Sequence, residues 1–207
     1  SLYPTHGIGP IAQCLNINRG DRMDHLSSLS TGDFSLADLA KEKAKEDAIW
    51  KPFEAKSFRG NMNTTIIRSV KGKTMMIQHD VSTPRPYSRI HLLSGTKGMA
   101  QKWPSPQRIA FGHSWVNKEE FAKLEEKYTP PIVKHIGAIA KEVGGHGGMD
   151  FIMDWRLIDC LRNGLPLDQD VYDAAAWSSI VPLSERSVKK RGSSVDVPDF
   201  TRGAWAT

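Results

Sequence analysis

The first half of the chain contains short segments in which apolar and polar residues alternate. Alternation with a period of two puts one face of a strand on a core, and glycine turns between such segments are typical of antiparallel hairpins. The pattern predicts one early strand and then a meander of antiparallel strands. The predicted strands are residues 22–31, 63–70, 73–81, 88–94, 99–103 and 107–111.

Apolar residues recur at helical spacing near the start of the chain and throughout the part that follows Gly112. Two helix starts are marked by Pro10, placed as a first helical residue, and by Ser35, placed as an N-cap. Pro182 lies inside the last helical pattern and predicts a kink, because proline lacks the amide donor that the preceding turn needs. The predicted helices are residues 10–17, 36–47, 117–128, 131–143, 149–163 and 168–190.

These elements predict an α/β fold of the α+β type, a largely antiparallel open sheet that helices cover on one face. A chain of 207 residues can bury a stable core without a disulfide or a metal. Hydrophobic residues make up 39% and charged residues 25% of the chain, as in ordinary globular domains. No change in composition marks an internal boundary, so residues 1–207 are expected to form one domain.

Charge, hydropathy and cysteine content argue against several classes of protein. The net charge of +5 balances 28 basic and 23 acidic residues in mixed order, without the basic and aromatic clusters of nucleic-acid-binding proteins. No apolar run reaches the length of a membrane span, and no histidine or cysteine pattern has metal-ligand spacing. Cys14 and Cys160 lie in apolar helical patterns and are interpreted as small buried hydrophobic residues, with a disulfide between them left open.

The segment from Gly7 to Ala12 matches the G-x-G-x-x-A form of the dinucleotide-binding fingerprint. That fingerprint works where a buried strand leads into the glycines, and here the preceding residues include Pro4 and His6. We interpret the glycines as a tight turn, followed by a helix whose N-terminus points at a polar group.

Tyr3-Pro4-Thr5-His6 places a phenol and an imidazole on a stiff loop. Imidazole titrates near neutral pH, and a neutral phenol donates a hydrogen bond. The tetrapeptide is therefore either an acid–base and hydrogen-bonding cluster or a turn with an exposed aromatic residue.

Two later segments have an unusual composition. Residues 144–150 hold four glycines around His146. The glycines are either needed for an unusual backbone conformation or a close approach, or they simply lead into a helix with Asp150 in its first turn. Residues 82–89 place Tyr87 between two arginines, either over a ligand or in a rigid connection whose arginines are solvated.

Five segments, which together cover nearly the whole chain, resemble one family closely. They are YPTHGIGPIAQCLNINRGDR, MNTTIIRSVKGKTMMIQHDVSTPRPYSRIHLLSGTKG, GGHGGMDF, LIDCLRNGLPLDQDVYDAAAWSSIVPLSE and VDVPDFTRGAW. The resemblance is to the C-terminal part of glycoside hydrolase family 109, the NAD-dependent α-N-acetylgalactosaminidases of bacteria. That family belongs to the Gfo/Idh/MocA oxidoreductase superfamily, whose members join an N-terminal Rossmann domain to a C-terminal domain with a largely antiparallel sheet and helices.

The resemblance implies a sugar site near the start of the chain, with Tyr3 also close to the nicotinamide of NAD. Tyr3 and His6 would be the catalytic residues, one of them handling the proton on C2 or the hydroxyl on C3 of the sugar. His146 is added as a substrate-binding residue from the glycine-rich segment itself. The family's NAD-binding glycines have no counterpart here, so NAD would be bound mainly by a Rossmann domain outside this chain. The implied substrate-binding residues are Tyr3, Pro4, Thr5, His6 and Tyr87.

The implied reaction removes terminal α-N-acetylgalactosamine by oxidation, elimination, hydration and reduction, and the chain alone would be inactive. Its implied partners are an N-acetylgalactosamine-containing glycan, its own Rossmann domain and further copies bound through the sheet face. Two other functions are compatible with the sequence: an NAD(P)-dependent sugar dehydrogenase of the same superfamily, and a non-catalytic carbohydrate-binding or assembly module. An export signal upstream would direct the protein to the periplasm, and without one it would be cytoplasmic.

Overall fold

The computed structural model describes residues 1–80 and 82–206, and its fold is α+β with antiparallel sheets, as the sequence predicts. Within these residues the chain divides into two compact units. Ser1–His91 and the residues from Val171 onwards form the first unit, and Leu92–Asp170 form the second. The composition of the sequence does not reveal this division.

Helices occupy the start of the chain and most of its second half. The helix that begins at Lys118 has a capping box in which the side chain of Asn117 accepts the amide of Glu120 at 2.9 Å. The α-helices of the described chain are α1 (Thr5–Cys14), α2 (Leu36–Glu46), α3 (Lys118–Tyr128), α4 (Pro131–Val143), α5 (Met149–Asn163) and α6 (Val171–Lys189). Short 3-10 helices span Ala48–Phe53, His146–Gly148 and Ala204–Ala206.

The strands form two antiparallel sheets of four strands each within the described residues. They are β1 (Met23–Ser30), β2 (Met62–Ser69), β3 (Thr74–Asp80), β4 (Leu92–Ser94), β5 (Gly98–Gln101), β6 (Arg108–Phe111), β7 (Ser114–Trp115) and β8 (Val195–Asp196).

The first unit is built on a sheet with the strand order β3-β2-β1-β8. Leu26, Ile67 and Met75 stand in register across β1, β2 and β3, and all three side chains are buried. The helix α6 packs on β1 and adds Trp177 and Ile180 to this core. Because α1 packs on both α6 and β3, the start of the chain is attached to a well-packed layer.

The second unit combines the sheet β4-β5-β6-β7 with the helices α3, α4 and α5. The helices α4 and α5 pack against each other. Ile136 and Ala140 of α4 and Cys160 of α5 are buried. These three helices were expected to cover the same sheet as the others, whereas the first sheet is covered by α1 and α6.

The predicted meander is divided between the two sheets. Its first hairpin is confirmed, since β2 and β3 pair around the turn at Gly72. The strand predicted from residue 88 begins only at Leu92, because Ile90 and His91 have φ angles of +59° and +43° that no regular strand contains. Val81, predicted as the end of a strand, lies outside the described residues.

Two predictions about helices and one about cysteines were wrong. The first helix begins at Thr5 rather than at Pro10, and the last begins at Val171 rather than at residue 168. Cys14 is exposed, whereas Cys160 is buried as expected. Both thiols are free, so no disulfide joins them.

Candidate functional site

Pro4 fixes the start of helix α1. Its ring is compatible with a helix start, where no amide donor is needed, and its carbonyl accepts the amides of Gly7 at 3.0 Å and Ile8 at 2.8 Å. Pro4 is itself buried. Tyr3 therefore lies two residues before the first helical residue, and His6 lies in the first turn of the helix.

The glycines of the fingerprint-like segment lie inside α1 and do not form a dinucleotide-binding turn. No described strand leads into them, because α1 already begins at Thr5. A Cβ atom on Gly9 would lie 3.3 Å from the ring of Trp177, and one on Gly7 would lie 3.8 Å from Ile77. Gly9 therefore lets α1 approach α6 closely, and the position of both glycines inside α1 corrects the interpretation of a tight turn.

Tyr3 and His6 are in direct contact. The hydroxyl of Tyr3 lies 3.3 Å from Nε2 of His6, and the two ring centroids are 4.6 Å apart. Tyr3 is 58% exposed and His6 is exposed, while Thr5 between them is half-buried. A phenol and an imidazole in contact at a helix start can exchange or share a proton with a bound hydroxyl group.

The segment that follows β3 is anchored by Asp80. The carboxylate accepts the amides of Ser82 and Thr83, each at 3.1 Å, and the hydroxyl of Thr83. Burial alone would raise the pKa of Asp80, but these hydrogen bonds and the nearby charge of Arg85 outweigh it, so the pKa is lowered from its ordinary value. The carboxylate therefore stays ionised and holds the loop in one shape.

Tyr87 projects from this loop and is 65% exposed. Nε of Arg89 donates a hydrogen bond to its hydroxyl, and the guanidinium carbon of Arg89 lies 5.7 Å from the centroid of its ring. Arg85 lies 3.8 Å from Asp80 and donates to Gln78 at 3.3 Å. The arginines are therefore structural parts of the loop, which corrects the alternative in which they are simply solvated.

His91, at the end of the same loop, is joined to α1. Its Nε2 lies 2.9 Å from the main-chain carbonyl of His6. The loop that carries Tyr87 and the turn that carries His6 are thus linked directly within the first unit. The candidate site therefore consists of Tyr3, Thr5 and His6 at the start of α1, with the Tyr87 loop tied to it.

His146 belongs to the second unit and has a partner there. Its Nδ1 lies 2.8 and 3.0 Å from the two carboxylate oxygens of Asp150, and its side chain is 73% exposed. Gly145 and Gly148 on either side have φ angles of +73° and +96°, which favour glycine. The carboxylate favours a proton on Nδ1, which leaves Nε2 of the neutral ring as a hydrogen-bond acceptor. Asp150 also lies in the first turn of α5, as predicted if the glycine-rich segment leads into a helix.

Several contacts in these segments were not predicted from the sequence. The spacing of His146 and Asp150 by four residues was a usable signal, since such residues meet in a helical turn. Asp80, followed by hydroxyl residues, was another, because aspartate often accepts nearby amides in turns. The contact of His91 with His6 joins residues 85 positions apart and has no local signal.

No group of three or more potential ligands is arranged to hold a metal ion within residues 1–80 and 82–206. No helix in this part of the chain has both the length and the apolar character that a membrane crossing requires.

The architecture is similar to that of a solved oxidoreductase domain protein from Kribbella flavida. The two share 11% sequence identity and superpose with a TM-score of 0.56 over 86% of this chain and 46% of the other. The likeness concerns the α+β fold alone.

The sequence comparisons define the family more narrowly. The profile of "Glycosyl hydrolase 109, C-terminal domain" matches residues 1–207, and the chain belongs to this family. Glycosyl hydrolase family 109 protein 2 of Shewanella sp. (strain ANA-3) is 50% identical over 100% of this chain and 46% of its own length. A family 109 protein of Shewanella amazonensis is 50% identical over 99% of this chain. The chain thus spans about half the length of the curated relatives that it matches.

Proposed function

We propose that this chain is the sugar-facing part of an enzyme that removes terminal α-N-acetylgalactosamine from glycans and that depends on NAD. The observation that carries the proposal is the contact of Tyr3 with His6 at the start of α1. Both side chains are exposed, and a phenol and an imidazole can both hydrogen-bond to a sugar hydroxyl. Membership in family 109 supports glycosidase chemistry.

The proposed reaction needs a base at C2 of the sugar. When it is bound, NAD would take a hydride from C3 and return it to C3 after hydration, so the ketone that acidifies the neighbouring C2 proton is temporary and the sugar has no net change of oxidation state. Tyr3 or His6 removes this proton or orients the C3 hydroxyl, and the leaving group departs from C1. Water then adds at C1, and a proton returns to C2. A phenol–imidazole pair suits these reaction steps better than two carboxylates do, because the glycosidic bond is broken by elimination.

Most of the NAD site would be supplied by the part of the family's proteins that this chain does not include. The described residues offer no dinucleotide-binding turn, since Gly7 and Gly9 pack inside α1. The ring of Tyr3 is exposed, and the family resemblance implies that it would lie close to the nicotinamide. We therefore propose that a Rossmann domain of the same protein binds NAD and that the isolated chain is inactive.

The remaining predicted residues would contact the sugar in different ways. Tyr87 is exposed on an anchored loop and suits stacking on a sugar ring, while Pro4 is buried and acts through the position of the main chain. Thr5 is half-buried and offers a hydroxyl.

An assembly role is supported by the outer face of the first sheet. Ile66 and Met76 lie opposite each other on β2 and β3, and both are exposed. Paired apolar side chains on a sheet surface favour contact with another protein surface. We propose that copies of the full-length protein associate through this face, in addition to the catalytic role.

Hydrolysis of a chromogenic α-N-acetylgalactosaminide tests the proposed function. The full-length protein should release the chromophore with NAD present, and the 207-residue chain should not. Cofactor reduction with free sugars and no hydrolysis would indicate a sugar dehydrogenase instead. If the full-length protein shows neither hydrolysis nor cofactor reduction, the function would be that of a carbohydrate-binding or assembly module.

A further inference from the structure

Pro10 leaves a gap in the hydrogen bonding of α1. In an α-helix the amide of each residue donates to the carbonyl four residues earlier, and proline has no amide hydrogen. Pro10 lies inside α1, so the carbonyl of His6 lacks the donor that the amide of residue 10 supplies in a regular α-helix. This carbonyl belongs to a residue of the proposed catalytic pair.

His91 supplies the missing donor. Its Nε2 lies 2.9 Å from the carbonyl oxygen of His6. A carbonyl oxygen only accepts, so Nε2 of His91 must carry the hydrogen. The neutral ring with its proton on Nε2 and the protonated ring both meet this condition, so the bond persists when His91 gains a proton.

The backbone around His91 is held in an unusual conformation. Ile90 and His91 have φ angles of +59° and +43°, and a positive φ is a genuine outlier for a β-branched residue such as Ile90. The hydroxyl of Ser88 accepts the amide of Ile90 at 3.0 Å, and the amide of His91 donates to the carbonyl of Arg89 at 2.7 Å. Such backbone strain persists where the surrounding structure fixes it, and it is concentrated at functional sites.

We propose that His91 is a positioning residue for the sugar site. By donating to the His6 carbonyl in place of the missing amide, it sets the orientation of the turn that carries the His6 imidazole. The same bond ties this turn to the loop that carries Tyr87. This inference rests on the proposed function for its catalytic consequence, but the hydrogen bond is testable without it.

A rescue experiment in the full-length enzyme separates the hydrogen bond from other effects of the side chain. His91→Phe should lower kcat for the chromogenic substrate by about tenfold, the effect of one lost hydrogen bond on a catalytic turn. Pro10→Ala should stay within about twofold of the unmodified enzyme and should give position 10 an amide that donates to His6. The double variant should therefore recover to within about threefold.

Two further variants serve as controls. His91→Gln keeps a side-chain N–H donor and should retain most of the activity, while His113→Phe, at an exposed histidine of the second unit, should leave kcat unchanged. A double variant that is no more active than His91→Phe would overturn the inference, as would loss of activity in His91→Gln equal to that in His91→Phe.

A spectroscopic measurement keeps this inference distinct from the proposed function. If the unmodified full-length protein hydrolyses no α-N-acetylgalactosaminide, the function fails, and nitrogen-15 NMR of its histidine side chains still tests the hydrogen bond. The His91 ring, assigned by the signal lost in His91→Gln, should carry a proton on Nε2. A ring with a proton on Nδ1 alone would overturn the inference.

Discussion

Replacing His6 with alanine in the full-length enzyme is expected to lower kcat for an α-N-acetylgalactosaminide by about a hundredfold or more, the usual contribution of a general acid or base. The variant removes the imidazole that contacts the Tyr3 hydroxyl at 3.3 Å. It retains the main-chain carbonyl to which His91 donates, so the start of α1 should be preserved. Steady-state kinetics with the chromogenic substrate provide the measurement.

His113→Ala is the matched control for this prediction. His113 is an exposed histidine in the second unit, and its loss should leave kcat unchanged. Tyr3→Phe indicates how the two groups divide the work: a loss as large as that of His6→Ala would make the phenol an essential partner. Near-normal activity of His6→Ala would exclude His6 from the catalytic machinery.

Replacing Asp21 with alanine is expected to reduce the free energy of unfolding of this chain by about 3 kcal/mol or more, because several buried or partly buried donors lose their acceptor together. Asp21 is 0% exposed and lies just before β1. Its carboxylate accepts the hydroxyl of Ser69 at 2.8 Å, the amide of Arg22 at 2.9 Å and the amide of Lys71 at 3.1 Å. Lys73 completes the cluster at 3.3 Å. Chemical denaturation of both proteins gives the difference.

The Asp21 effect should also depend on pH. Burial alone would raise the pKa of Asp21, but the hydrogen bonds from Ser69, Lys71 and Arg22 outweigh it, so its folded pKa is lowered. The stabilisation is thus complete above the unfolded pKa of about 3.9 and is lost as the pH falls through the folded value. The difference between the two proteins should narrow below about pH 4, and a difference that grows on acidification would contradict this account.

Asp38→Ala is the matched control for stability. Its side chain is 72% exposed and pairs with Lys41 at 3.3 Å on the surface of α2. Surface pairs of this kind contribute little, so the loss should stay below about 0.5 kcal/mol. If both variants lose the same free energy of unfolding, the buried carboxylate of Asp21 has no special role in stability.

The sequence predicted correctly those helices and strands that begin or end at a local signal, such as a glycine turn or a capping residue. The hairpin of β2 and β3 followed from alternation and a glycine turn, and α5 ends at Asn163 because Gly164 adopts a left-handed conformation. The sequence predicts that α1 starts at Pro10, because proline is favoured as a first helical residue. In the structure α1 starts earlier and contains Pro10, because its packing against α6 and β3 stabilises the additional turn. Tertiary contacts therefore overrode a local preference.

The candidate site was predictable only in part. Tyr3 and His6 are three residues apart, so their contact follows from a short turn and could be expected. The hydrogen bond from His91 to His6 could not be expected. His91 acts as a donor because Pro10 lacks an amide, and Pro10 lies in a helix that is far from His91 in the sequence. The division into two units was equally hidden, because long-range pairing of β1 with β2 and β8 decides which strands share a sheet.

The central claim, that a base acts on the C2 proton of the sugar, is tested most directly by running the reaction of the full-length enzyme in deuterium oxide. Elimination followed by addition of water replaces the proton on C2 with one from the solvent. The account predicts N-acetylgalactosamine that carries deuterium at C2 and protium at C3, as measured by proton NMR of the released sugar. Product that retains protium at C2 would contradict the account and would indicate direct displacement at C1.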